Sequence, residues 1–393
     1  MNVLPEKVVF PERTLMGIGR VNSLLAECAR YGRRGLLVHG RSLAAHGALK
    51  LILQNSLSGM AVATWEHAGG EPALSDLDRL LATARKHQAD WIAGIGGGSV
   101  LDLAKACAGL FHALQPPEAY HNGAAIETPG LAFAAVPTTA GTGSEATVNA
   151  VLTNSATRQK KSIRDDTLMA RLVILDPALL QYCPKRVIAH AGMDAFTQAL
   201  EAFTSRHAVW LSDCLGLKAL TLIGTHLEAF YRGADHAVAE QVLMGSYLAG
   251  LSFAMARLGV VHGIAHPLGV RYHVPHGYVC GVCLPHAVEL NRDAMGGKYE
   301  QASRALGRDL LDLIRHLLIR LDMPSPFRGK PILDKEAIIR ETVAAWSTKA
   351  NPKPITPRRC GMAVGTIVRG LSALFKLIRR SNANAERPTS NVE

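Results

Sequence analysis

The sequence GIGGGSVLDLAK, residues 94–105, decides the fold of this chain. An apolar run at 91–95 leads into its glycines, and a segment with helical periodicity at 100–111 follows them. Glycines let the backbone approach a ligand closely, and the first turn of a helix presents free amide groups to an anion. This order of strand, glycine loop and helix predicts a pyrophosphate-binding loop in an α/β fold.

Strand-like and helix-like segments alternate on both sides of this loop. Further strands are predicted at 35–39, 61–65, 131–136 and 172–175, and further helices at 43–54 and 73–87. Strands separated by helices imply right-handed crossovers and a mostly parallel sheet. Residues 1–183 are therefore predicted to form an α/β nucleotide-binding domain.

The second half of the chain has a different periodicity. Long helices are predicted at 189–204, 212–230, 237–255 and 278–291. A chain of 393 residues exceeds what one hydrophobic core usually serves. We therefore predict a second domain over 184–379, an all-helical bundle. Its last helix, 361–380, is basic and amphipathic and is expected to pack on the bundle, and a disordered basic tail is predicted at 380–393.

Composition excludes several classes of protein. The 48% of hydrophobic and 19% of charged residues are typical of a globular enzyme and not of a disordered chain. Much of the net charge of +11 lies in residues 349–393, which hold nine Lys and Arg against two Asp and Glu. No aromatic stacking series accompanies this basic segment, so nucleic-acid binding is not expected.

The sequence also predicts a cytoplasmic protein without a membrane span. Its N-terminus lacks the layout of a signal peptide, and the longest uncharged apolar run, 242–256, is too short to cross a bilayer. Seven cysteines at irregular spacing indicate reduced thiols. Cys280 and Cys283 are interpreted as two buried thiols one helical turn apart.

A second polar loop, PTTAGTGSE at 137–145, follows a predicted strand. Its hydroxyls either bond ribose and phosphate oxygens or form an ordinary Ser/Thr turn. The residues alone leave both interpretations open.

Acidic, amide and imidazole side chains recur at helical spacing in the second half. Asp194 and Gln198 lie four residues apart on one helix face, as do His262 and His266, and His276 follows on another segment. Carboxylate and imidazole groups on separate helices predict a divalent metal site inside a helical bundle.

GGGSVLDLAK at 96–105 together with VPTTAGTGSEAT at 136–147 resembles the iron-containing alcohol dehydrogenase family of the dehydroquinate synthase-like superfamily. The resemblance continues through 176–177, 192–195 and 259–269 and covers residues 8–356. Glycerol dehydrogenases and dehydroquinate synthases share the glycine loop alone, whereas TTAGTGSE narrows the resemblance to alcohol dehydrogenases.

This resemblance implies a nicotinamide cofactor, NAD or NADP, between the two domains and a homo-oligomer, expected to be a dimer. The substrate would be a small primary or secondary alcohol or the corresponding aldehyde. The pyrophosphate would lie near Gly97, Gly98, Ser99 and Asp102, and the rest of the cofactor would contact Thr138, Thr139, Thr142 and Lys161.

The residue after the first strand of the sheet bears on cofactor choice. NAD-preferring relatives carry an Asp there, which bonds the ribose and repels a 2′-phosphate. This chain has Gly40, and Arg41 or Arg34 is available to pair with a phosphate. We therefore expect NADP to be accepted.

The resemblance also implies a metal bound by one Asp and three His. Asp194, His262 and His276 match this set, but Gln198 stands in place of the first histidine. An amide oxygen binds Fe(II) or Zn(II) more weakly than imidazole does, so lower affinity or a different metal is expected. His266 resembles the family's active-site histidine, which either relays a proton or orients its neighbours.

Three alternative functions compete with metal-assisted hydride transfer. A metal-independent reductase similar to maleylacetate reductases is disfavoured by Asp194, since an acidic ligand beside histidines suggests a bound ion. A lyase similar to dehydroquinate synthase is disfavoured by TTAGTGSE. A nucleotide-binding protein without catalysis would have a decayed site marked by Gln198.

Overall fold

A six-stranded parallel sheet forms the centre of the N-terminal half. The computed structural model describes residues 2–157 and 159–369. The strands are β1 (Arg13–Met16), β2 (Arg34–Gly40), β3 (Ala61–His67), β4 (Trp91–Gly96), β5 (Ala132–Pro137), β6 (Asn149–Asn154), β7 (Gln159–Arg164) and β8 (Leu172–Leu175). The sheet has the order β1-β8-β5-β4-β2-β3 with every pair parallel. The chain places β3 on one side of β2 and then β4 on the other side, so the direction in which strands are added reverses between β2 and β4. In open α/β sheets, ligands bind at such a point.

Helices cover both faces of this sheet. They are α1 (Leu24–Cys28), α2 (Arg41–Ala45), α3 (Ala48–Gln54), α4 (Leu74–His87), α5 (Gly98–Gly109) and α6 (Pro117–His121). Leu24 and Ile52 pack with Trp91 on one face, whereas α4 and α5 cover the other. The helix predicted at 43–54 is divided by Gly47, whose φ of 74° lies in the left-handed region.

An antiparallel ribbon of β6 and β7 stands apart from the main sheet. This ribbon was not predicted from the sequence. Buried residues alternate with partly exposed ones along β6, so one face of the ribbon packs on the domain. The ribbon extends from the second polar loop, and both lie beside α5.

Helices make up the second half of the described chain. They are α7 (Lys185–Thr204), α8 (Trp210–Tyr231), α9 (His236–Ala256), α10 (Val260–Tyr272), α11 (His276–Asn291), α12 (Lys298–Ala305), α13 (Leu310–Arg320), α14 (Lys335–Ala344) and α15 (Pro357–Arg369). The predicted α/β and all-helical halves are therefore confirmed as the fold class. The hydrophobic cluster that includes Leu36 and Leu101 of the first half runs on through Phe196 and Phe327 of the second.

Close contacts join the two halves. A Cβ added to Gly141 would lie 2.5 Å from Ala191 Cβ, and one added to Gly143 would lie 2.8 Å from Gly250 Cα. Only glycine therefore lets the second polar loop pack directly on α7 and α9. The domain boundary at 183 stays a prediction.

Within the described residues, no single helix is long and apolar enough to cross a membrane. Helices α9 and α10 reach that length only as a pair, which bends by 106° at their junction. The tail predicted at 380–393 and the end of the helix predicted at 361–380 lie outside the described residues.

Candidate active site

The glycine loop joins β4 to α5, as its sequence predicts. Its glycines serve two purposes. Cβ atoms added to Gly94 and Gly96 would lie 2.9 and 2.6 Å from Ala104 and Val100 of α5, so these glycines let the helix pack on its own strand. Gly97, at the N-cap of α5, instead faces an open cleft. It is the glycine placed to present backbone to a phosphate.

The cleft lies between the carboxyl edge of the sheet and the first turn of α7. The sheet side contributes Gly97, Thr138 and Thr139, and the α7 side contributes Val187. Tyr182 also lines it and stacks on His46 with ring centroids 4.3 Å apart. Hydroxyls and a helix N-terminus thus face a partly apolar groove, which fits a dinucleotide.

The other residues predicted at the pyrophosphate lie around the start of α5. Gly98 is its first residue and packs against Thr142, since an added Cβ would lie 2.7 Å from Thr142 Cγ2. The Ser99 hydroxyl donates a hydrogen bond to Gly70 O at 2.9 Å. Gly70 belongs to a loop between β3 and α4, so this bond places that loop beside the helix N-terminus.

The Asp102 carboxylate faces the second polar loop and the ribbon. It accepts hydrogen bonds from Ser144 Oγ at 2.6 Å and from Val151 N at 3.1 Å. In this structure the carboxylate therefore fixes the loop that carries Thr138 and Thr142. A direct contact of Asp102 with the pyrophosphate stays a prediction.

Lys105 has a related role that sequence reasoning did not assign. Its fully buried ammonium donates to the backbone oxygens of Ser144, Thr147 and Asn149 at 2.5, 2.9 and 2.6 Å. Burial lowers the pKa of Lys105 to about 8. Burial likewise raises the pKa of the adjacent Glu145 carboxyl to about 7. Asp102, Lys105 and Glu145 form a buried polar cluster that holds the second loop.

The position at which the sequence predicts cofactor choice lies at the end of β2. Gly40 has an extended backbone with φ of −87°, and an added Cβ would meet only Val100 Cγ2 at 3.7 Å. Arg41 is exposed and lies 3.8 Å from Glu66 on β3. Arg34 is the first residue of β2 and bonds Gln88 at 2.8 Å. It lies about 20 Å along the strand from Gly40, so the expectation that Arg34 pairs with a phosphate there is wrong.

Two neighbouring lysines of β7 point to opposite sides of the ribbon, as successive strand residues do. Lys161, which the resemblance implies at the cofactor, donates to Asn122 Oδ1 at 3.0 Å. Lys160 instead pairs with Glu71 at 2.5 Å. Burial lowers the pKa of His266 and of His276, and the charge of Lys160 adds to this lowering. A contact of Lys161 with the cofactor stays a prediction.

The predicted metal residues converge from three helices. Asp194 lies on α7, His262 and His266 lie one turn apart on α10, and His276 is the first residue of α11. A Cβ added to Gly277 would lie 3.2 Å from Asp194 Cβ. The glycine therefore lets α11 begin directly against α7, and this contact brings His276 to Asp194.

The ligand atoms of these residues face one another. His262 Nε2 lies 3.3 Å and His276 Nε2 lies 3.9 Å from Asp194 Oδ1. Among the described residues, neither Asp194 Oδ1 nor His262 Nε2 has a hydrogen-bond partner, although both are buried. Unpartnered buried polar atoms are costly, and a cation among them would satisfy both. The residues present therefore fit a divalent metal ion.

Glu201, which sequence reasoning missed, orients His262. Its carboxylate accepts hydrogen bonds from His262 Nδ1 at 2.6 Å and from the backbone N–H of Val261 at 2.6 Å. A bond at Nδ1 directs Nε2 into the cluster, as is usual for histidine ligands. Burial lowers the pKa of His262, but Cys280, Glu201 and Asp194 outweigh it and hold the pKa well above its usual range. The surroundings thus stabilise positive charge. Glu201 is seven residues from Asp194, and this helical spacing is the signal from which Glu201 could have been predicted as a site residue.

Gln198 lies one turn after Asp194 on the same face of α7. Its Nε2 is 3.5 Å from Thr142 O, while its buried Oε1 has no hydrogen-bond partner in the described part of the chain. The amide thus reaches toward the second loop. Whether its oxygen is a ligand stays a prediction.

His266 lies beside the cluster and opens to solvent. Its ring centroid is 4.8 Å from that of His276. Crowding by protein atoms lowers the pKa of His266, and the charge of Lys160 adds to this effect. The side chain of His266 is exposed to solvent. His266 is therefore a neutral imidazole between the cluster and solvent.

Two family models match consecutive parts of the chain. The iron-containing alcohol dehydrogenase model matches residues 11–177, and the model for the C-terminal part of the Fe-containing alcohol dehydrogenase family matches residues 188–361. Together they span most of the described chain.

Individual relatives agree with these matches. The chain is 34% identical to the probable alcohol dehydrogenase EutG of Escherichia coli over 317 residues, 78% of this chain and 80% of the relative. It is 30% identical to the lactaldehyde reductase of Escherichia coli, with coverage of 77% and 80%. The structure of sulfoacetaldehyde reductase from Bifidobacterium kashiwanohense in complex with NAD+ superposes with a TM-score of 0.86 at 26% identity, covering 92% of this chain and 98% of that one. The chain therefore belongs to the iron-containing alcohol dehydrogenase family.

Proposed function

We propose that this protein catalyses reversible hydride transfer between a nicotinamide dinucleotide and a small primary or secondary alcohol or its carbonyl product. The cluster of Asp194, His262 and His276 carries this proposal. Asp194 Oδ1 and His262 Nε2 are buried without hydrogen-bond partners among the described residues, and both nitrogens, His262 Nε2 and His276 Nε2, face Asp194 Oδ1. The cleft lined by Gly97 and Thr139 at the N-terminus of α5 supports it independently.

The side chains divide the work of binding and orientation. Asp194 and His262 would hold a divalent ion, His276 would complete that face of the site, and Glu201 would keep His262 Nε2 directed inward. When bound, the ion supplies electrophilic polarisation of the substrate oxygen, and the nicotinamide supplies or accepts the hydride. Gly97 and the first turn of α5 would bind the pyrophosphate through backbone amides.

His266 is proposed to pass the hydroxyl proton to solvent. Its lowered pKa keeps the imidazole neutral, so that a ring nitrogen is free to accept a proton, and its exposed edge gives access to water. His266→Asn is expected to lower kcat roughly 100-fold. If the residue only orients His276, kcat will fall only slightly while metal affinity drops.

NADP is proposed as an accepted cofactor. Gly40 offers no carboxylate to repel a 2′-phosphate, and the exposed Arg41 is near enough to bind one after it exchanges its partner Glu66. NAD binding through the ribose is compatible with the same site. Fe(II) and Zn(II) are both proposed as candidate metals, since carboxylate and imidazole ligands suit either.

The decisive experiment measures the oxidation of NADPH and of NADH by a panel of small aldehydes. The loss of the reduced cofactor is monitored by its near-ultraviolet absorbance. Metal-free, iron-loaded and zinc-loaded protein are compared. We expect turnover only with metal and a loss of at least 100-fold for Asp194→Asn, which keeps the shape of the side chain. Full activity of the metal-free protein would favour the metal-independent reductase. No turnover with any aldehyde, despite measurable nucleotide binding, would favour the non-catalytic alternative.

A homodimer is also proposed. Strand β1 is at the edge of the sheet. Three apolar residues that flank it in the chain are exposed, namely Val3, Phe10 and Ile18, and exposed apolar surface favours an interface. Sedimentation velocity checks the dimer, and a monomer at micromolar concentration would reject it. Cytoplasmic location and the lack of membrane and nucleic-acid partners stay predictions.

A further inference from the structure

Cys280 lies beside the predicted metal ligands, although the sequence predicted only a buried thiol at this position. It is four residues after His276 on α11, so both side chains share one helix face. Its Sγ, Asp194 oxygen and the imidazole nitrogens of His262 and His276 all lie within 4.8 Å of one another. Cys283, one turn further along α11, is buried but is not part of this group.

The spacing of these atoms suits a tetrahedral site. Ligands bound to zinc at about 2.0 to 2.3 Å in a tetrahedron are about 3.3 to 3.8 Å apart. Cys280 Sγ is 3.5 Å from His276 Nε2, and His262 Nε2 is 3.3 Å from Asp194 Oδ1. His276 Nε2 and Asp194 Oδ1, at 3.9 Å, are close to this range. Small side-chain adjustments would thus suffice to bind one ion.

The four side chains provide a coherent set of donors. Asp194 and His262 are nine-tenths or more buried, and each has an atom that lacks a partner in the described chain. Thiolate, imidazole and carboxylate together are ligands that zinc and cobalt(II) bind well, whereas an amide oxygen such as that of Gln198 is a weak ligand. The Cys280 thiolate would therefore compensate for the histidine ligand that this chain lacks at position 198.

We propose that Cys280 is a metal ligand of this protein. Asp194, His262, His276 and Cys280 form the ligand set, and Gln198 stays outside it. On binding, the Cys280 thiol loses its proton to solvent and its sulfur forms the bond to the ion. Some catalytic zinc sites expand to five ligands during the reaction, and a substrate oxygen would be the fifth ligand here. This inference rests on the metal site of the proposed function and adds to it the identity of the fourth ligand and a preference for zinc over iron.

Cobalt(II) tests the ligand directly, because a cobalt–thiolate bond gives an intense charge-transfer absorption in the near ultraviolet that oxygen and nitrogen ligands do not give. The full-length protein is stripped of metal and titrated with cobalt(II) under reducing, oxygen-free conditions. We expect this absorption at one cobalt per chain. Cys280→Ser should abolish it, and Cys283→Ser, the matched control on the same helix, should retain it.

Zinc affinity is a second readout. Competition with a chelating dye should show at least tenfold weaker zinc binding for Cys280→Ser and unchanged binding for Cys283→Ser. Circular dichroism of the metal-free variants checks that both are folded, and Cys280→Ala replaces Cys280→Ser if the latter is not.

The outcomes separate this inference from the proposed function. Cobalt binding without thiolate absorption in the wild-type protein would overturn the role of Cys280 and leave the metal site standing. Thiolate absorption that persists in Cys280→Ser would also overturn it. Failure to bind cobalt or zinc at all would reject both the ligand and the metal site.

Discussion

Gly40, at the end of β2, is the residue that we propose to govern recognition of the 2′ position of the cofactor. Gly40 has room for a larger residue without strain, since its φ is −87° and its surroundings are open. Gly40→Asp is expected to lower kcat/KM for NADPH at least tenfold relative to NADH, about 1.4 kcal/mol of repulsion. Gly40→Ala is the control and should leave the ratio near that of the wild type. A wild-type preference for NAD that Gly40→Asp leaves unchanged would contradict the proposal.

Gln198 stands where the family resemblance implies a histidine ligand. Gln198→His would place an imidazole one turn from Asp194 on the same face of α7. We expect iron(II) to bind at least tenfold more tightly, a gain of about 1.4 kcal/mol, as measured by calorimetry under anaerobic conditions. Gln198→Asn, which keeps an amide, should not strengthen binding. Equal affinity in both variants would show that position 198 does not reach the ion.

The sequence revealed site residues where helical spacing or a motif isolates them. Asp194, His262 and His276 could be named in this way. Glu201, Lys160 and Cys280 could not, because their contribution depends on which helix and strand faces meet across the cleft. A carboxylate or thiol on a buried helix face has many possible partners until the packing is known.

At the scale of elements, the long periodic segments were predictable and the short polar ones were not. Helix α7, predicted at 189–204, begins earlier, at Lys185, directly after Pro184. Ribbon strand β7 reads QKKSIR, whose polar residues give no apolar alternation to detect. The ribbon is nevertheless the element that carries Lys160, so the ion pair of Lys160 with Glu71 could not be predicted from the sequence.

The buried polar cluster under the second loop makes stability depend on pH. Burial raises the pKa of Glu145 to about 7 in the folded protein, above its value in the unfolded chain. The folded state therefore binds the extra proton more tightly, and this stabilisation is present below about pH 4.5 and is lost as pH rises through about 7.

Glu145→Gln removes this titration and keeps the shape of the side chain. Between pH 5 and pH 7.5, we expect the free energy of unfolding of the wild type to fall by about 2 to 3 kcal/mol relative to that of the variant. Urea unfolding at each pH measures the difference. A parallel course of both proteins would mean that Glu145 does not carry the pH dependence. Glu300, on the outer face of α12, provides a matched control, since Glu300→Gln should leave the curve unchanged.

At the scale of the molecule, one hydrophobic cluster runs through both halves. The second polar loop, 137–145, also packs on α7 and α9 without space for a Cβ at Gly141 or Gly143. Two separate cores, as chain length suggested, would allow the halves to melt independently. We instead expect a single calorimetric transition for the metal-free protein. Two resolved transitions would contradict a shared core.

The ion pair between Lys160 and Glu71 has a kinetic consequence. It ties the ribbon to the loop that Ser99 holds beside the start of α5. We expect this tie to slow the dissociation of a dinucleotide bound at the start of α5. A partly exposed pair contributes no more than about 1 kcal/mol and is screened by salt. Raising ionic strength should therefore shorten the residence time of the cofactor several-fold, and Glu71→Gln should shorten it at low salt. Stopped-flow displacement measures both, and a residence time that neither change affects would show that the tie does not limit release.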